Sequence, residues 1–150
     1  MCYNYLINGL FDAKEEDWIL VSDLDEIPRP EVIKQFNPNR YKRADFEQCA
    51  YVYRLNNLSV LPNNQPAFWP GSKITTFHHL KSFFKTVTAV RSFKSQGIFR
   101  SIHRTLFKKF HTQTIHDGGW HFTWMFTLEN LILKMENIAE QAGNRAELKE

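Results

Sequence analysis

The passage that most constrains this chain is Asp17–Pro28. Trp18-Ile19-Leu20-Val21 is apolar on four successive positions and rich in strand-forming residues. A half-exposed strand would alternate apolar with polar, whereas an unbroken apolar run suits a buried parallel strand with both faces covered. Ser22 follows, and then three carboxylates in four positions: Asp23, Asp25 and Glu26. Pro28 and Pro30 stop any continuation, and Pro30 suits the first position of a short helix, PEVIKQF. A strand that ends in carboxylates points to an α/β sheet, in which ligands bind outside the carboxyl ends of strands.

The rest of the chain fills out that architecture. Tyr3, Leu6, Ile7, Leu10 and Phe11 recur at helical spacing, so residues 3–14 read as an amphipathic helix. Residues 49–58 read as a second strand, and LPNNQPAFWPGS as a Pro/Asn/Gly loop. Residues 73–79 and 86–93 read as short strands, residues 95–111 as a basic loop or short helix, and HDGGWHFTWM as a turn plus an aromatic strand. The clearest helix spans 128–142, with one apolar stripe, Thr127 as N-cap and Gly143 as C-cap. Helix, strand, carboxylates, helix and further strands predict α/β architecture in a single domain over residues 1–150.

Charge is distributed unevenly. The net charge is +3, yet no Asp or Glu occurs from Gln48 to His116, a window holding ten Lys and Arg. The remainder of the chain is therefore acidic. An acidic first third and a basic middle suggest two sides of one site, or a basic face for an anionic partner. Two cysteines, Cys2 and Cys49, make no disulfide framework and fit a reducing compartment. No apolar run approaches the ~20 residues of a membrane span, and the first residues lack the pattern of a signal peptide.

Two constellations carry chemistry. Asp23 and Asp25 at i and i+2 repel one another unless a cation sits between them. Hard oxygen ligands of this kind suit Mg²⁺ or Mn²⁺ against a diphosphate, the alternative being an acidic turn that caps the next helix. The second is His116-Asp117-Gly118-Gly119-Trp120-His121-Phe122-Thr123-Trp124. Its glycines allow a tight turn and close approach of backbone to a ligand. His121 is a third metal ligand or else a core histidine, and Trp120 and Trp124 can stack on a sugar or base. Trp69-Pro70-Gly71-Ser72-Lys73 offers a turn able to bind phosphate, without P-loop spacing. His78-His79 reads as structural or surface, because adjacent strand residues face opposite ways. A nucleic-acid-binding module would use the basic window but leaves the acidic strand end unexplained and has no recognised motif.

The stretches NYLINGLFDAKEEDWILVSDLDEIPRPEVI, WPGSKITTF and DGGWHFTWMFTLENLILKMENIAE resemble glycosyltransferase family 17, which includes the β-1,4-mannosyl-glycoprotein β-1,4-N-acetylglucosaminyltransferases of N-linked glycan synthesis. The resemblance spans roughly residues 3 to 142, and its specific motifs are EDWILVSDLDEIP and the GWHxxW of Gly119–Trp124. It implies a GT-A-like, Rossmann-like nucleotide-sugar fold that here lacks its N-terminal strand–helix portion. It also implies inverting transfer of N-acetylglucosamine or a related sugar from a UDP-sugar to an acceptor glycan hydroxyl. By position, Asp23 and Asp25 would hold Mn²⁺ or Mg²⁺ on the diphosphate. Glu26 would face the donor or support the turn, and His121 would lie near the diphosphate, as a ligand.

In that reading the donor is cradled by Asp23, Asp25, Lys73, Arg91 and Trp120, with Lys94 as a further cation. The candidates for the general base are Asp117 and Glu26. The partners are the nucleotide-sugar donor and the glycan acceptor, with no nucleic acid. The expected location is cytoplasmic, or membrane-associated or Golgi-lumenal through a missing N-terminal anchor. The alternative is an inactive, truncated remnant that binds sugar or nucleotide without turnover.

Overall fold

The computed structural model describes residues 3–92 and 100–137. Mixed helices and strands surround one six-stranded sheet, which agrees with the α/β expectation at that level. Its strands are β1 (Trp18–Val21), β2 (Glu26–Pro28), β3 (Arg43–Val52), β4 (Phe68–Thr76), β5 (Thr112–Ile115) and β6 (Gly119–Thr123). The lateral order is β1-β4-β3-β6-β2, with β5 also on β3. β3 is the spine. It pairs antiparallel with β4 on one side, and on the other side runs parallel to β5 through Arg43–Phe46 and to β6 through Cys49–Val52.

β1 and β2 occupy the two margins of this path, yet only Ser22–Asp25 separate them in the chain. In a flat sheet those margins would lie about 19 Å apart, four steps of ~4.8 Å. The connecting residues form a turn, closed by the Glu26 amide on the Asp23 carbonyl at 3.1 Å. The sheet must therefore curl until its margins meet at the carboxylate turn.

β1 corrects one expectation. It is not a parallel strand with both faces covered but an antiparallel margin strand on β4, and Trp18 and Leu20 are each 40% exposed. Its apolar character serves both sides of a thin sheet. Ile19 and Val21 pack toward one cluster of the core, and Trp18 meets Phe36 edge-on at 5.5 Å. Tyr3–Leu10 is a 3-10 helix rather than a regular amphipathic α-helix through residue 14. Asn8-Gly9 in its last turn are poor α-helix formers, and Ile7 and Leu10 still pack on the core.

The remaining helices are α1 (Pro30–Ile33), α2 (Phe77–His79) continuing into a π-helical turn Leu80–Phe84, α3 (Val87–Arg91), α4 (Arg100–His111) and α5 (Leu128–Asn137). α3 replaces the strand expected over 86–93. The Thr86 hydroxyl caps it by accepting from the Ala89 amide at 3.1 Å, and Val87 and Val90, one helical turn apart, are both buried. A cap outweighs the strand preference of Thr and Val here. Thr76 caps α2 in the same way, through the His79 amide, and ends the strand expected to run to residue 79. The WPGS segment is part of β4 rather than a loop. Its Pro70 lies where the β3–β4 register shifts, which spares the ladder a missing donor.

β3 starts at Arg43, six residues before the expected strand, and ends before Tyr53, whose φ of +64° turns the chain. α4 and β6 fall within the segments expected for them, and α5 begins where expected; the predicted continuation to 142 and the Gly143 cap lie outside the described residues. Two buried clusters sandwich the sheet. Val21, Leu80, Phe84, Val87, Val90 and Phe107 lie on the α3 side, and Val32, Phe36, Ala44, Phe46, Ile74 and Ile115 on the other. Among the described residues no helix is long and apolar enough to cross a membrane.

Candidate functional site

The turn between β1 and β2 places its carboxylates at the carboxyl end of β1. Glu26, the first residue of β2, lies opposite His121 of β6, so the two side chains share a face. Glu26 is 4% exposed and fully engaged. Its Oε1 accepts from the Trp69 indole at 2.9 Å and from Arg91 at 2.5 Å. Its Oε2 accepts from Arg91 at 2.6 Å and from the Asp23 amide at 3.2 Å. Burial pushes the Glu26 carboxyl up, but the bonds from Arg91, Trp69 and Asp23 outweigh burial and hold it below the usual carboxylate range. A carboxylate so committed is a poor proton acceptor, so the structure corrects the reading of Glu26 as general base. It is the keystone of the turn.

Arg91, at the end of α3, also reaches Asp23 at 2.5 Å and the Gly71 carbonyl at 3.1 Å. Ser22 fixes the base of the turn, with its hydroxyl at 2.7 Å from both the Glu26 carbonyl and the Ser72 hydroxyl. Ser72 is thereby buried under the turn and does not present a phosphate-binding loop. Gly71 has a packing reason: a Cβ there would meet the Gln48 side chain at 1.7 Å.

Asp25 faces the other way along the turn. Its Oδ2 lies 3.6 Å from His121 Nε2. His121 is 8% exposed, stacks on Trp69 at 4.9 Å and 18°, and its buried Nδ1 has no hydrogen-bond partner among the described residues. Asp25 and His121 form a carboxylate–imidazole pair with an open side, Asp25 being 43% exposed. The described residues bring together no group of three or more His, Cys, Asp or Glu able to hold a metal. The pair fits a hard divalent ion that keeps water and substrate oxygens as its other ligands, the habit of Mg²⁺ in phosphate sites. Asp23, expected beside Asp25 as a ligand, is matched by Arg91 instead.

Asp117 and Trp120 belong elsewhere. Trp120 neighbours His121 on β6 and so points to the opposite face of the sheet. There Arg29 lies over the Trp120 ring at 4.6 Å and pairs with Asp117 at 2.9 Å. This corrects both assignments: Trp120 is not a wall of the carboxylate site, and Asp117 is not placed to act as its base. The glycines before Trp120 permit close approach of backbone to backbone rather than to a ligand. Gly118 donates to the Glu47 carbonyl, and the Gly118 carbonyl accepts from Arg29.

A cavity of about 480 Å³ opens beside the turn, lined by Arg43, Asp45, Trp69, Pro70, Lys73, Arg91, Ser92, Phe107 and Lys108. It shares Trp69 and Arg91 with the carboxylate cluster. Lys73 donates to the carbonyls of Pro70 and Gly71 at 2.5 and 2.7 Å and stands 3.8 Å from Asp45. Arg43, Asp45, Phe107 and Lys108 were not expected as site residues. The spacing of Arg43 and Asp45, i and i+2 on a strand and so on one face, was the available signal. Lys94 lies outside the described residues. His78 bonds Glu15 at 3.1 Å at the edge of the molecule, away from the site.

Burial pushes Lys73 down to about 8; Arg43 and Arg91 add to the shift and Asp45 opposes it. An unfolded-chain lysine holds its proton to about 10.4. Below pH 8 both states bind that proton and pH has no leverage. Between about 8 and 10.4 the unfolded state binds more protons, so resistance to unfolding rises with pH. Relative to Lys73→Met, the native chain is expected to gain up to about 3 kcal/mol across this window. Urea unfolding of both proteins at pH 7, 8, 9 and 10 measures it, and a constant difference would refute the assignment.

Compared with family models, with curated proteins and with solved structures, the chain matches none.

Proposed function

We propose that the chain is a metal-dependent glycosyltransferase domain of GT-A-like architecture, using a UDP-sugar such as UDP-N-acetylglucosamine. The observation that carries this reading is the open Asp25–His121 pair in a carboxylate turn at the end of β1, next to a cation-lined cavity. The resemblance of SDLDEIP and GWHFTW to glycosyltransferase family 17 supports it from the sequence side.

Asp25 and His121 are the residues that would hold Mn²⁺ or Mg²⁺, whose contribution is Lewis-acid neutralisation of a departing nucleoside diphosphate. The protein's own part is preorganisation. Glu26 and Arg91 lock the turn, Trp69 holds the imidazole plane by stacking, and Lys73 places fixed positive charge at the edge of the cavity. Charge placed before reaction costs no reorganisation when the leaving group becomes more negative. A glycan acceptor hydroxyl would approach from the exposed side of Asp25.

Calorimetric titration of UDP-N-acetylglucosamine with Mn²⁺, and again with chelator, tests the reading. Binding is expected only with metal, and Asp25→Asn and His121→Asn are each expected to weaken it at least about tenfold, the scale of losing a metal-site residue. Equal binding with and without metal would refute it. The commitment of Glu26 and the remote position of Asp117 favour a second reading, a sugar-nucleotide-binding domain without turnover. Metal-dependent binding with no transfer to any glycan acceptor would select it.

A further inference from the structure

The acid-free stretch from Gln48 to His116, with its ten Lys and Arg, is used only in part by the carboxylate turn and its cavity. Its later portion is α4, which carries Arg100, Arg104, Lys108 and Lys109 and no Asp or Glu. α4 turns one side inward: Phe107 is buried, and Phe107 and Lys108 line the cavity. Leu106, Lys109 and Phe110, at i, i+3 and i+4, share a different side of the helix. All three are exposed, Leu106 by 46% and Phe110 by 57%, and the Lys109 ammonium stands 5.6 Å from the centre of the Phe110 ring. Lys108 and Lys109 have no ion pair among the described residues. The π-helical turn Leu80–Phe84 and β5, which pack against α4, bring no carboxylate. That turn adds a second pair of the same kind, the exposed Phe83 with the Lys42 ammonium 4.5 Å from its ring centre.

We propose that this side of α4 is the surface by which the chain lies on a membrane of anionic lipids, with Leu106 and Phe110 entering the acyl boundary and Lys109, flanked by Lys108, meeting the lipid phosphates. Lysines in the last turn of a helix complement its dipole, but the dipole gives no reason for a leucine and a phenylalanine to stand exposed beside them. A helix with cations on one side and Leu and Phe on the next is the pattern that lies in the plane of a membrane interface, held by buried apolar area together with attraction to anionic lipids. A nucleic acid would match the lysines and leave Leu106 without an apolar partner. A specific protein partner needs a shaped interface of about 800 Å² on each side, whereas fluid acyl chains close around two protruding side chains without prior complementarity. The inference does not rest on the metal-dependent donor reading, because neither Asp25 nor His121 lies on α4.

Sedimentation of the full chain with vesicles, in chelator, tests it. The vesicles are phosphatidylcholine alone, or phosphatidylcholine with one-third phosphatidylglycerol. Binding to the anionic vesicles is expected to be at least about tenfold tighter than to the neutral ones, and to weaken as salt shortens the screening length from ~10 Å to ~3 Å. Lys109→Gln is expected to weaken it about fivefold, the scale of one cation at an anionic surface. Leu106→Ser with Phe110→Ser is expected to weaken it at least about tenfold, through lost apolar burial. Lys34→Gln removes the same charge from an exposed position after α1, on the opposite side of the sheet, and is expected to change nothing. Circular dichroism checks that each variant is folded; should the double variant not fold, Lys109→Gln against Lys34→Gln still decides. Overturning results are no binding to anionic vesicles, equal binding to neutral ones, equal losses in Lys34→Gln and Lys109→Gln, or a folded double variant that binds as the native chain does. The first would return this face to a protein or nucleic-acid partner. None of these outcomes bears on metal-dependent UDP-sugar binding, which is read separately.

Discussion

Gly119→Ala is expected to lower the stability of the chain by more than about 4 kcal/mol. Gly119 has φ +126°, a conformation that side-chain-bearing residues rarely adopt, and a Cβ there would stand 2.1 Å from the Ile27 carbonyl oxygen and 2.8 Å from the Arg29 amide. Both obstacles are backbone, so no rotamer change relieves them. Residue 119 pairs with Pro28 at the start of the β2–β6 ladder, and the shift needed would pull β2 from its one lateral neighbour among the described residues. Conformational strain of about 1–3 kcal/mol adds to the loss of that ladder. The total, above about 4 kcal/mol, is a large part of the roughly 5–15 kcal/mol that holds an ordinary domain. Urea unfolding followed by circular dichroism reads it directly; a variant with an unchanged midpoint would show that β2 is not held as described.

Arg91→Ala is expected to cost about 3–5 kcal/mol, the range for leaving a buried charge without its partner. Glu26 would keep its Trp69 and Asp23 donors but lose the guanidinium that contacts both of its oxygens. The diagnostic is a double substitution. Glu26→Gln in the Arg91→Ala background removes the stranded charge while an amide oxygen can still accept from Trp69. It should recover at least about 1.5 kcal/mol, a coupling within the range of contacting groups. Purely additive losses in denaturant titrations would mean that Arg91 acts through packing alone.

What could be read locally was readable. The strand at Trp18–Val21, the carboxylate turn after it and the helix opening at Pro30 depend on neighbouring residues, and they lie where the pattern puts them. What depends on distant pairing was not. The apolar run of β1 is compatible with burial between parallel neighbours or with a margin strand, and only the β4 register decides. Thr86-Val87-Thr88 favours a strand by composition, yet a hydroxyl cap three residues before Ala89 makes it helix. Trp120 and His121 were assigned to one site although strand alternation sends them to opposite faces. The cavity joins Arg43, Lys73, Arg91 and Lys108 from four elements, and no spacing rule connects residues gathered by a curled sheet.

The curl gives the carboxylate turn a second role. Residues 22–25 form a clasp between the sheet's two free margins, and Arg91 and Ser22 are its rivets. A molecule that grips Asp25 or displaces Arg91 therefore handles the seam of the whole sheet, not a loop hung on its surface. Amide exchange in β1 and β2, remote from each other across the ladder, should slow or quicken together as the clasp is tightened or released. Binding at the turn and global rigidity would then be read on one dial.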